Sequence, residues 1–507
     1  MSLTELLDPR PDDGTRVAVY IAERSVTRRR LREQALALAA VLREAGFAPG
    51  RKVAVMLPNS PELVAALFGT WFAQGAYVPV NPRLSDPELA HILDSLGPAV
   101  IVTDAEHRGR FGDLPVVLVR PDAGPDTDTV WTAPGRPVAG DAVNEPDIAL
   151  VQFTSGTTGP PKAVLLRHEG IRDLLEPVLR KLLGGASSTV AQRPDPMPNL
   201  IPTSLSLWAG IYNVLFAFRV GAPVVLTEGF DTRRFAADVA RFGIRSAVLP
   251  PAALVMLADD ERVDSLKPLK YVRSITAALS PLQARRFRDR FGVTVLNCYG
   301  QTEIGGEIVG WNAADARAFG DSKLGAVGRP HDGVALRVVD AEGTRAAPGG
   351  QGELWVRVPA STAGYADGSD FGDRLGPDGW LRTGDVARID EDGFLWIEGR
   401  VSDMINRGGL KVFPAEVEEV LRLAPQVAEC AVVGVADDRL GEIPWAFIVP
   451  RPGATADAAA LAALCRAHLA PYKVPVRFRE VALLPRNEAG KVLARQLVRL
   501  ALADEPG

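Results

Sequence analysis

The sequence predicts a multidomain α/β protein, and three observations support this. At 507 residues the chain is too long for one ordinary hydrophobic core. Strand patterns rich in Val and Ile alternate with helical patterns from Arg51 onward, which is typical of a doubly wound sheet. The pattern then changes twice towards the carboxyl end, which indicates additional structural units of a different kind.

The alternation occurs in two separate stretches. The first predicts strands and helices at Lys52–Leu57, Pro61–Ala73, Tyr77–Val80, Asp86–Leu96 and Ala99–Thr103. The second predicts them at Val224–Thr227, Phe235–Phe242, Ser246–Leu249, Pro281–Arg290 and Thr294–Asn297. We therefore expect two doubly wound α/β subdomains.

The remaining chain predicts two smaller units. Between residues 325 and 397, short β segments are separated by Gly, Pro and Asp turns, which favours a small antiparallel, barrel-like unit. After Gly399 the pattern predicts a helix opening at Pro414, strands near Ala428–Val435 and Trp445–Val449, and a helix at Ala456–Leu469. About a hundred residues of this α+β type could fold separately. The polar, Pro-rich stretch Pro121–Asp141 is interpreted as a loop.

Composition excludes several classes of function. The net charge of −5 offers no electrostatic footprint for nucleic acid. The three cysteines are far apart and lack metal-ligand spacing, and the polar start of the chain does not resemble a secretory signal, so we expect a reducing, cytoplasmic setting. Two uncharged stretches, at residues 63–80 and 199–218, contain Pro and polar residues, which favours buried core over a stable membrane span.

The strongest local signal lies between two apolar strand patterns, Ile148–Phe153 and Val164–Leu166. Four hydroxyl residues and two glycines precede a lysine there, in the run Thr154, Ser155, Gly156, Thr157, Thr158, Gly159, Pro160, Pro161 and Lys162. Such a loop presents backbone N–H groups and hydroxyls to an anion, and its lysine can meet phosphate charge. Because the spacing is not that of a Walker loop, a P-loop ATPase is not indicated.

This run resembles the phosphate-binding loop of the adenylate-forming superfamily, which includes acyl-CoA synthetases, adenylation domains and luciferases. A second signature of that superfamily is matched by Tyr299, Gly300, Gln301, Thr302 and Glu303. The resemblance implies that Tyr299 stacks on adenine, that Thr302 contacts the nucleotide phosphate, and that Glu303 holds Mg²⁺ on the ATP phosphates.

Two further motifs follow in the family's order. The run Gly379–Asp385, followed by Arg400, resembles a third motif of the family, and the resemblance implies that Asp385 and Arg400 bind the ribose hydroxyls. The run Pro485–Lys491 resembles the loop whose lysine enters the site during adenylation, so Lys491 is expected to neutralise charge that develops on the α-phosphate and pyrophosphate.

The resemblance covers nearly the whole chain and implies two domains. An N-terminal AMP-binding domain would span residues 1–399, and a mobile C-terminal domain would span residues 400–507, with a hinge near Ser402. The C-terminal domain would present Lys491 for adenylation and then Gly408, Gly409 and Lys411 for thioester formation.

The acid-binding pocket departs from the family pattern. Leu205 occupies a position where many relatives carry a His or an aromatic residue, and Trp208 lies nearby. Thr276, Ala277 and Ala278 replace a glycine-rich run that lines the pocket in relatives. Since Ser204–Phe216 offers no acidic residue for a substrate amino group, we expect an apolar acid: fatty, aryl, or bulky alicyclic or terpenoid.

The predicted function is therefore that of an AMP-forming acid–thiol ligase, most like an acyl-CoA synthetase, that uses ATP, Mg²⁺ and coenzyme A. A stand-alone adenylating enzyme that stops at the adenylate or loads a carrier protein is the main alternative. A nucleotide-binding pseudoenzyme is a further alternative, but the presence of Lys162, Glu303 and Lys491 argues against it, because a protein that only binds does not need a catalytic lysine. The residues expected to be catalytic are Lys491, Thr302 and Glu303. The expected partners are a small carboxylic acid and CoA or a carrier protein, and the chain is expected to be a monomer or a homodimer.

Overall fold

The computed structural model describes most of the chain. The described residues are 3–8, 15–120, 129–136, 138, 147–154, 162–182, 196–275, 277, 279–358, 364–366, 371–376, 378–486 and 491–503.

Helices and strands alternate throughout these residues. In chain order, the first part contains β1 (Val17–Ile21), β2 (Arg24–Thr27), α1 (Arg28–Glu44), β3 (Lys52–Met56), α2 (Pro61–Phe72), β4 (Ala76–Pro79), α3 (Asp86–Leu96), β5 (Val100–Thr103), β6 (Val116–Arg120), β7 (Val130–Thr132), β8 (Ile148–Phe153), β9 (Ala163–Arg167), α4 (His168–Leu182), β10 (Asn199–Ile201), α5 (Trp208–Arg219) and β11 (Val224–Leu226). The second part contains α6 (Thr232–Arg241), β12 (Ser246–Leu249), α7 (Pro251–Asp259), β13 (Tyr271–Ser274), α8 (Pro281–Phe291), β14 (Thr294–Asn297), β15 (Tyr299–Gln301), β16 (Gly306–Gly310), α9 (Ala313–Phe319), β17 (Arg329–Pro330), β18 (Ala335–Val339), β19 (Gln351–Arg357), β20 (Leu381–Ile389) and β21 (Leu395–Arg400). The last part contains β22 (Ile405–Arg407), β23 (Leu410–Val412), α10 (Pro414–Leu421), β24 (Val427–Asp437), β25 (Gly441–Pro450), α11 (Ala458–His468), β26 (Arg477–Glu480) and α12 (Ala494–Ala503).

The first large sheet has seven strands in the order β7-β6-β5-β3-β4-β8-β9. Its central strands are parallel, and only the edge strands β7 and β9 run antiparallel to their neighbours. Every residue of β3, β4 and β5 is buried, as expected for parallel strands that are covered on both faces. The interpretation of Pro121–Asp141 as a loop was wrong at Val130–Thr132, because this short segment pairs with β6 as an edge strand.

The two long uncharged stretches form core elements. Helix α2 starts at Pro61 after the Ser60 cap, buries nearly all its residues and leads into β4. The second stretch forms β10 and the mostly buried helix α5. Among the described residues, no helix combines the length and apolar character that a membrane crossing requires.

The second α/β layer contains the parallel sheet β12-β13-β14, and helices α7 and α8 contribute to its core. Strand β11, which the sequence placed in this layer, instead lies between β10 and β1 in a four-stranded sheet. Immediately after β14 the chain forms the antiparallel sheet β15-β16-β17. The carboxyl ends of β13 and β14 therefore lie beside this short sheet, and ligands of α/β folds bind at such ends.

The two smaller units also confirm the predicted fold class. Strands β18 to β21 form a four-stranded antiparallel sheet. The last hundred residues form a mixed sheet in the order β23-β22-β25-β24, with β26 beside β25. Helices α10 and α11 contribute to the apolar core on one face of this sheet, and α12 contributes to the core on the other.

Candidate active site

The glycine- and hydroxyl-rich loop begins at the carboxyl end of β8. Its two ends are joined, because the Thr154 N–H donates to the Lys162 carbonyl oxygen at 2.8 Å and the Lys162 N–H donates to Thr154 Oγ1 at 3.4 Å. Lys162 Nζ lies 4.6 Å from the ring centroid of Tyr365. The predicted residues Ser155, Gly156, Thr157, Thr158 and Gly159 lie outside the described residues.

Asp385 on β20 is the centre of a network that joins the second and third sequence motifs. Its Oδ2 accepts hydrogen bonds from the Tyr299 hydroxyl at 2.6 Å and from Gln301 Nε2 at 2.7 Å. Its Oδ1 lies 3.1 Å from Arg400 Nε. Burial, and then the neighbouring Asp385 charge, raise the pKa of Tyr299 well above its usual value, so its hydroxyl remains a donor. The aspartate is thus buried with each oxygen engaged.

Glu303 lies next to this network in the short turn Thr302–Ile304, which follows β15. Its Oε1 is 3.5 Å from Nη1 of Arg374, and Arg374 Nη2 also donates to Gln301 Oε1 at 3.4 Å. Arg374 belongs to no sequence motif and was not predicted as a site residue. A single carboxylate of this kind suits Mg²⁺, which proteins bind through one or two carboxylates together with substrate phosphates.

Lys491 reaches the same place from the C-terminal unit. Burial, and then the nearby Arg400 guanidinium, lower the pKa of the Lys491 ammonium, while the carboxylates of Asp385, Glu303 and Asp403 raise it. Its charged partners are therefore the residues that surround the predicted nucleotide site. The loop residues 487–490 lie outside the described residues, and an isolated bridge between Arg486 and Val492 joins their two sides.

The other predicted C-terminal residues are exposed. Gly408 and Gly409 form the turn between β22 and β23 with φ angles of +60° and +85°, which favour glycine. Lys411 on β23 is exposed to solvent. Ser402 is also exposed, and its hydroxyl donates to Asp403 Oδ1 at 2.8 Å. Of the two lysines, Lys491 is therefore the one that lies close enough to Asp385 and Glu303 for their charges to affect its pKa, whereas Lys411 is exposed to solvent.

Two polar contacts join the C-terminal unit to the second α/β layer. Glu419 Oε1 on α10 accepts from the Leu282 N–H at 2.9 Å, and so adds to the N-terminal cap of α8. Arg451 Nη1 lies 3.4 Å from Asp259 Oδ1. Each of these side chains is about one third exposed, so the contacts are weak individually.

Three of the five predicted acid-pocket residues are described, and they differ in burial. Leu205 is buried, and its N–H donates to Asn59 Oδ1 at 2.8 Å. Trp208 is buried, and its Nε1–H donates to the Gly305 carbonyl oxygen at 2.8 Å, which joins α5 to the turn after Glu303. Ala277 is exposed. Thr276 and Ala278 lie outside the described residues.

The sequence did not identify a buried polar cluster that lies one helical turn beyond Trp208. It consists of Tyr212, Arg273, Cys298, Glu307 and His331. These residues belong to α5, β13, β16 and two connecting segments, so only the fold brings them together and no local motif could have found them.

The chain matches two known family models and is similar to characterised enzymes over nearly its whole length. The family model described as AMP-binding enzyme matches residues 11–366, and the model described as AMP-binding enzyme C-terminal domain matches residues 416–491. The chain is 33% identical to the fatty acid–[acyl-carrier-protein] ligase ScoC of Streptomyces coeruleorubidus, over 96% of this chain and 93% of that protein. It is 32% identical to the indoleacetate–CoA ligase of Aromatoleum aromaticum, over 98% of each. Among solved structures, the amide bond synthetase McbA of Marinactinospora thermotolerans matches with a TM-score of 0.82 at 29% identity, over 99% of each chain.

Proposed function

The chain belongs to the AMP-binding enzyme family, and from that premise we propose that it is an AMP-forming acid–thiol ligase. It activates a carboxylic acid with ATP and Mg²⁺ and passes the acyl group to coenzyme A. In the first step a carboxylate oxygen of the acid attacks the α-phosphorus of ATP, and pyrophosphate leaves. In the second step the CoA thiolate attacks the acyl carbon and AMP leaves with the electron pair of the broken bond.

The position of Lys491 is the single observation that carries this proposal. A lysine that burial has partly desolvated lies among Arg400, Asp385 and Glu303 although it comes from a separate unit of the chain. An ammonium in this position would neutralise the charge that develops on the phosphates during the attack. Because electrostatic stabilisation of this kind is often the largest single contribution to catalysis, Lys491 is assigned the main catalytic role.

The nucleotide would be held by residues that lie in or next to strands of three different sheets. Thr154, Lys162 and the loop between them would face the phosphates, assisted by Thr302. Tyr299, Gly300 and Gln301 would border the adenine, and Asp385 and Arg400 would meet the ribose hydroxyls as acceptor and donor. Glu303 would help to hold Mg²⁺ on the ATP phosphates, where the ion would neutralise negative charge.

We assign the second step to a different arrangement of the same chain. Rotation of residues 400–507 about Ser402 would withdraw Lys491 and bring Gly408, Gly409 and Lys411 towards the adenylate. The weakness of the contacts at Glu419 and Arg451 supports such a motion, since relative motion of domains is expected unless their interface is large and hydrophobic.

The acid substrate is proposed to be apolar apart from its carboxylate. The buried side chain of Trp208 lies beside the turn that carries Glu303, and Leu205 is buried at the segment that leads into the same helix. These two side chains favour an aryl, alicyclic or aliphatic acid. The acyl group could be transferred to a carrier protein instead of CoA, because the relatives named above include a ligase for an acyl carrier protein as well as one for CoA. A stand-alone adenylating enzyme or carrier-protein ligase is therefore the second candidate.

One product analysis separates these candidates. The protein is incubated with ATP, Mg²⁺ and a panel of fatty, aryl, alicyclic and amino acids, with and without CoA, and products are identified by mass spectrometry. The proposal predicts AMP and an acyl-CoA only when CoA is present. Acyl-adenylate that accumulates and stays unchanged by CoA would reject the ligase and favour the adenylating enzyme.

A further inference from the structure

The buried polar cluster near Trp208 contains more hydrogen-bonding capacity than the described protein uses. Arg273 and Glu307 form an ion pair, and Glu307 Oε1 lies 3.1 Å from His331 Nε2. The Tyr212 hydroxyl is buried and makes no hydrogen bond within the part of the chain that the structure describes. Because a buried polar group without a partner is costly, such a group requires an explanation.

The cluster retains contact with solvent despite its depth. The side chains of Arg273 and Glu307 keep 14% and 11% of their exposure, and Cys298 is also only partly buried. The side chains of this cluster on α5, β13 and β16 are therefore not completely sealed from solvent.

The cluster adjoins the proposed site of adenylation. Cys298 directly precedes Tyr299, and Glu307 lies opposite Gly300 in the β15–β16 pairing. Tyr212 follows Trp208 by one turn of α5, and their rings pack edge to face at 5.7 Å. An acid whose carboxylate lies at the nucleotide would therefore reach the cluster within a short distance.

We propose that this cluster is the distal end of the acid-binding pocket and selects a compact acid that carries a neutral hydrogen-bond-accepting oxygen far from its carboxylate. The inference rests on the proposed function and narrows its substrate class. The Tyr212 hydroxyl donates to that oxygen. A long alkyl chain is excluded, because it would desolvate the Arg273–Glu307 pair without replacing any hydrogen bond.

The charges around the cluster favour a neutral group over an ionic one. Burial alone would raise the pKa of Glu307, but the Arg273 charge and the hydrogen bond with His331 outweigh burial, so this pKa falls to about 2 and the carboxylate stays ionised. The other charges around Lys181 are Asp332, whose sign is opposite to that of Lys181, and Asp315, which pairs with Arg329. A substrate with a second carboxylate or an ammonium group would meet no uncompensated opposite charge.

The test uses matched acids on benzoic, phenylpropenoic and cyclohexanecarboxylic skeletons. Each skeleton is tested unsubstituted and with a distal hydroxyl, carboxylate or aminomethyl group, alongside hexadecanoic acid. Acid-dependent ATP–pyrophosphate exchange gives KM and kcat for each. We expect the hydroxyl-bearing acid to be preferred on every skeleton that is used. Preference for an unsubstituted, charged or long-chain acid would overturn the inference while leaving adenylation intact, whereas no exchange with any acid would reject the proposed function itself.

Two variants assign the effect to the cluster. Tyr212→Phe should raise KM for the hydroxyl-bearing acid about five- to tenfold, as for one lost hydrogen bond, and leave the unsubstituted acid unchanged. Glu307→Gln should leave Arg273 uncompensated and increase the use of the carboxylate-bearing acid. Tyr20→Phe, in a tyrosine that packs on Phe242 away from the site, is the matched control. Equal effects of Tyr212→Phe on both acids would assign Tyr212 to structure alone.

Discussion

The two parts of the candidate active site are built differently. The proposed nucleotide-binding part is fixed by hydrogen bonds to a buried carboxylate, since Asp385 accepts from Tyr299 and Gln301 at 2.6 and 2.7 Å and pairs with Arg400. The proposed catalytic lysine, Lys491, belongs to a unit whose contacts with the second α/β layer include two partly exposed polar ones, at Glu419 and Arg451.

This difference indicates that one part binds the nucleotide rigidly and that the other part moves between the two steps. Preorganised groups lose little entropy when they bind the nucleotide, so the first part should be rigid. The second part has to leave after adenylation if another surface is to act in the second step, so its attachment should be weak. The predictions below test each side of this division, starting with the largest effect.

Lys491→Ala should lower the rate of acyl-adenylate formation by about a hundredfold or more, because a charge contact made in the transition state is lost. Thioester formation from supplied acyl-adenylate and CoA should be preserved. Single-turnover measurements of the two half-reactions check this. Lys411→Ala is the matched variant, for which we expect the opposite pattern, and equal losses in both half-reactions for Lys491→Ala would contradict domain rotation.

Asp385→Asn should destabilise the protein by about 1–3 kcal/mol and raise KM for ATP, because it weakens the hydrogen bonds from Tyr299 and Gln301 and removes the negative charge that faces Arg400. Thermal unfolding and steady-state kinetics measure the two effects. Tyr299→Phe removes one of these bonds and should cost about 1 kcal/mol. Unchanged stability in both variants would mean that the network is not preorganised.

Glu419→Ala should have the smallest effect. Because the side chain is about one third exposed, the free energy of unfolding should change by less than about 1 kcal/mol. The contact exists in the arrangement that holds Lys491 in the site, so adenylation should slow a few-fold and thioester formation should not slow. Glu416→Ala, which removes the pair with Lys473 inside the C-terminal unit, is the control. A slower thioester step in Glu419→Ala would reject its role as a contact of the adenylating arrangement.

Local patterns predicted the regular fold well. Helix α3 and strands β12 and β14 have the predicted bounds, because caps, prolines and apolar periodicity mark their ends. The hairpin β1–β2 and helix α1 were not predicted. Strand β11 was assigned to the wrong sheet because a strand pattern does not specify its partner, and here β11 pairs with β1, about two hundred residues earlier.

In the candidate site, too, local motifs identified some residues, and only tertiary contacts revealed the others. Contiguous motifs indicated Tyr299, Gln301, Asp385, Arg400 and Lys491, and the structure places these near one another, although their roles remain proposals. Arg374 was missed because its role depends on contacts rather than on a motif. The cluster of Arg273, Glu307 and His331 was missed for the same reason, since these side chains come from three segments that only tertiary folding joins.

Acid-dependent exchange of pyrophosphate into ATP tests the central claim most directly, because it requires reversible formation of an acyl-adenylate and no acceptor. With the wild-type protein, Mg²⁺ and the acid panel, we predict exchange with at least one acid and its loss in Lys491→Ala. No exchange with any acid, or undiminished exchange in Lys491→Ala, would contradict the proposed site of adenylation.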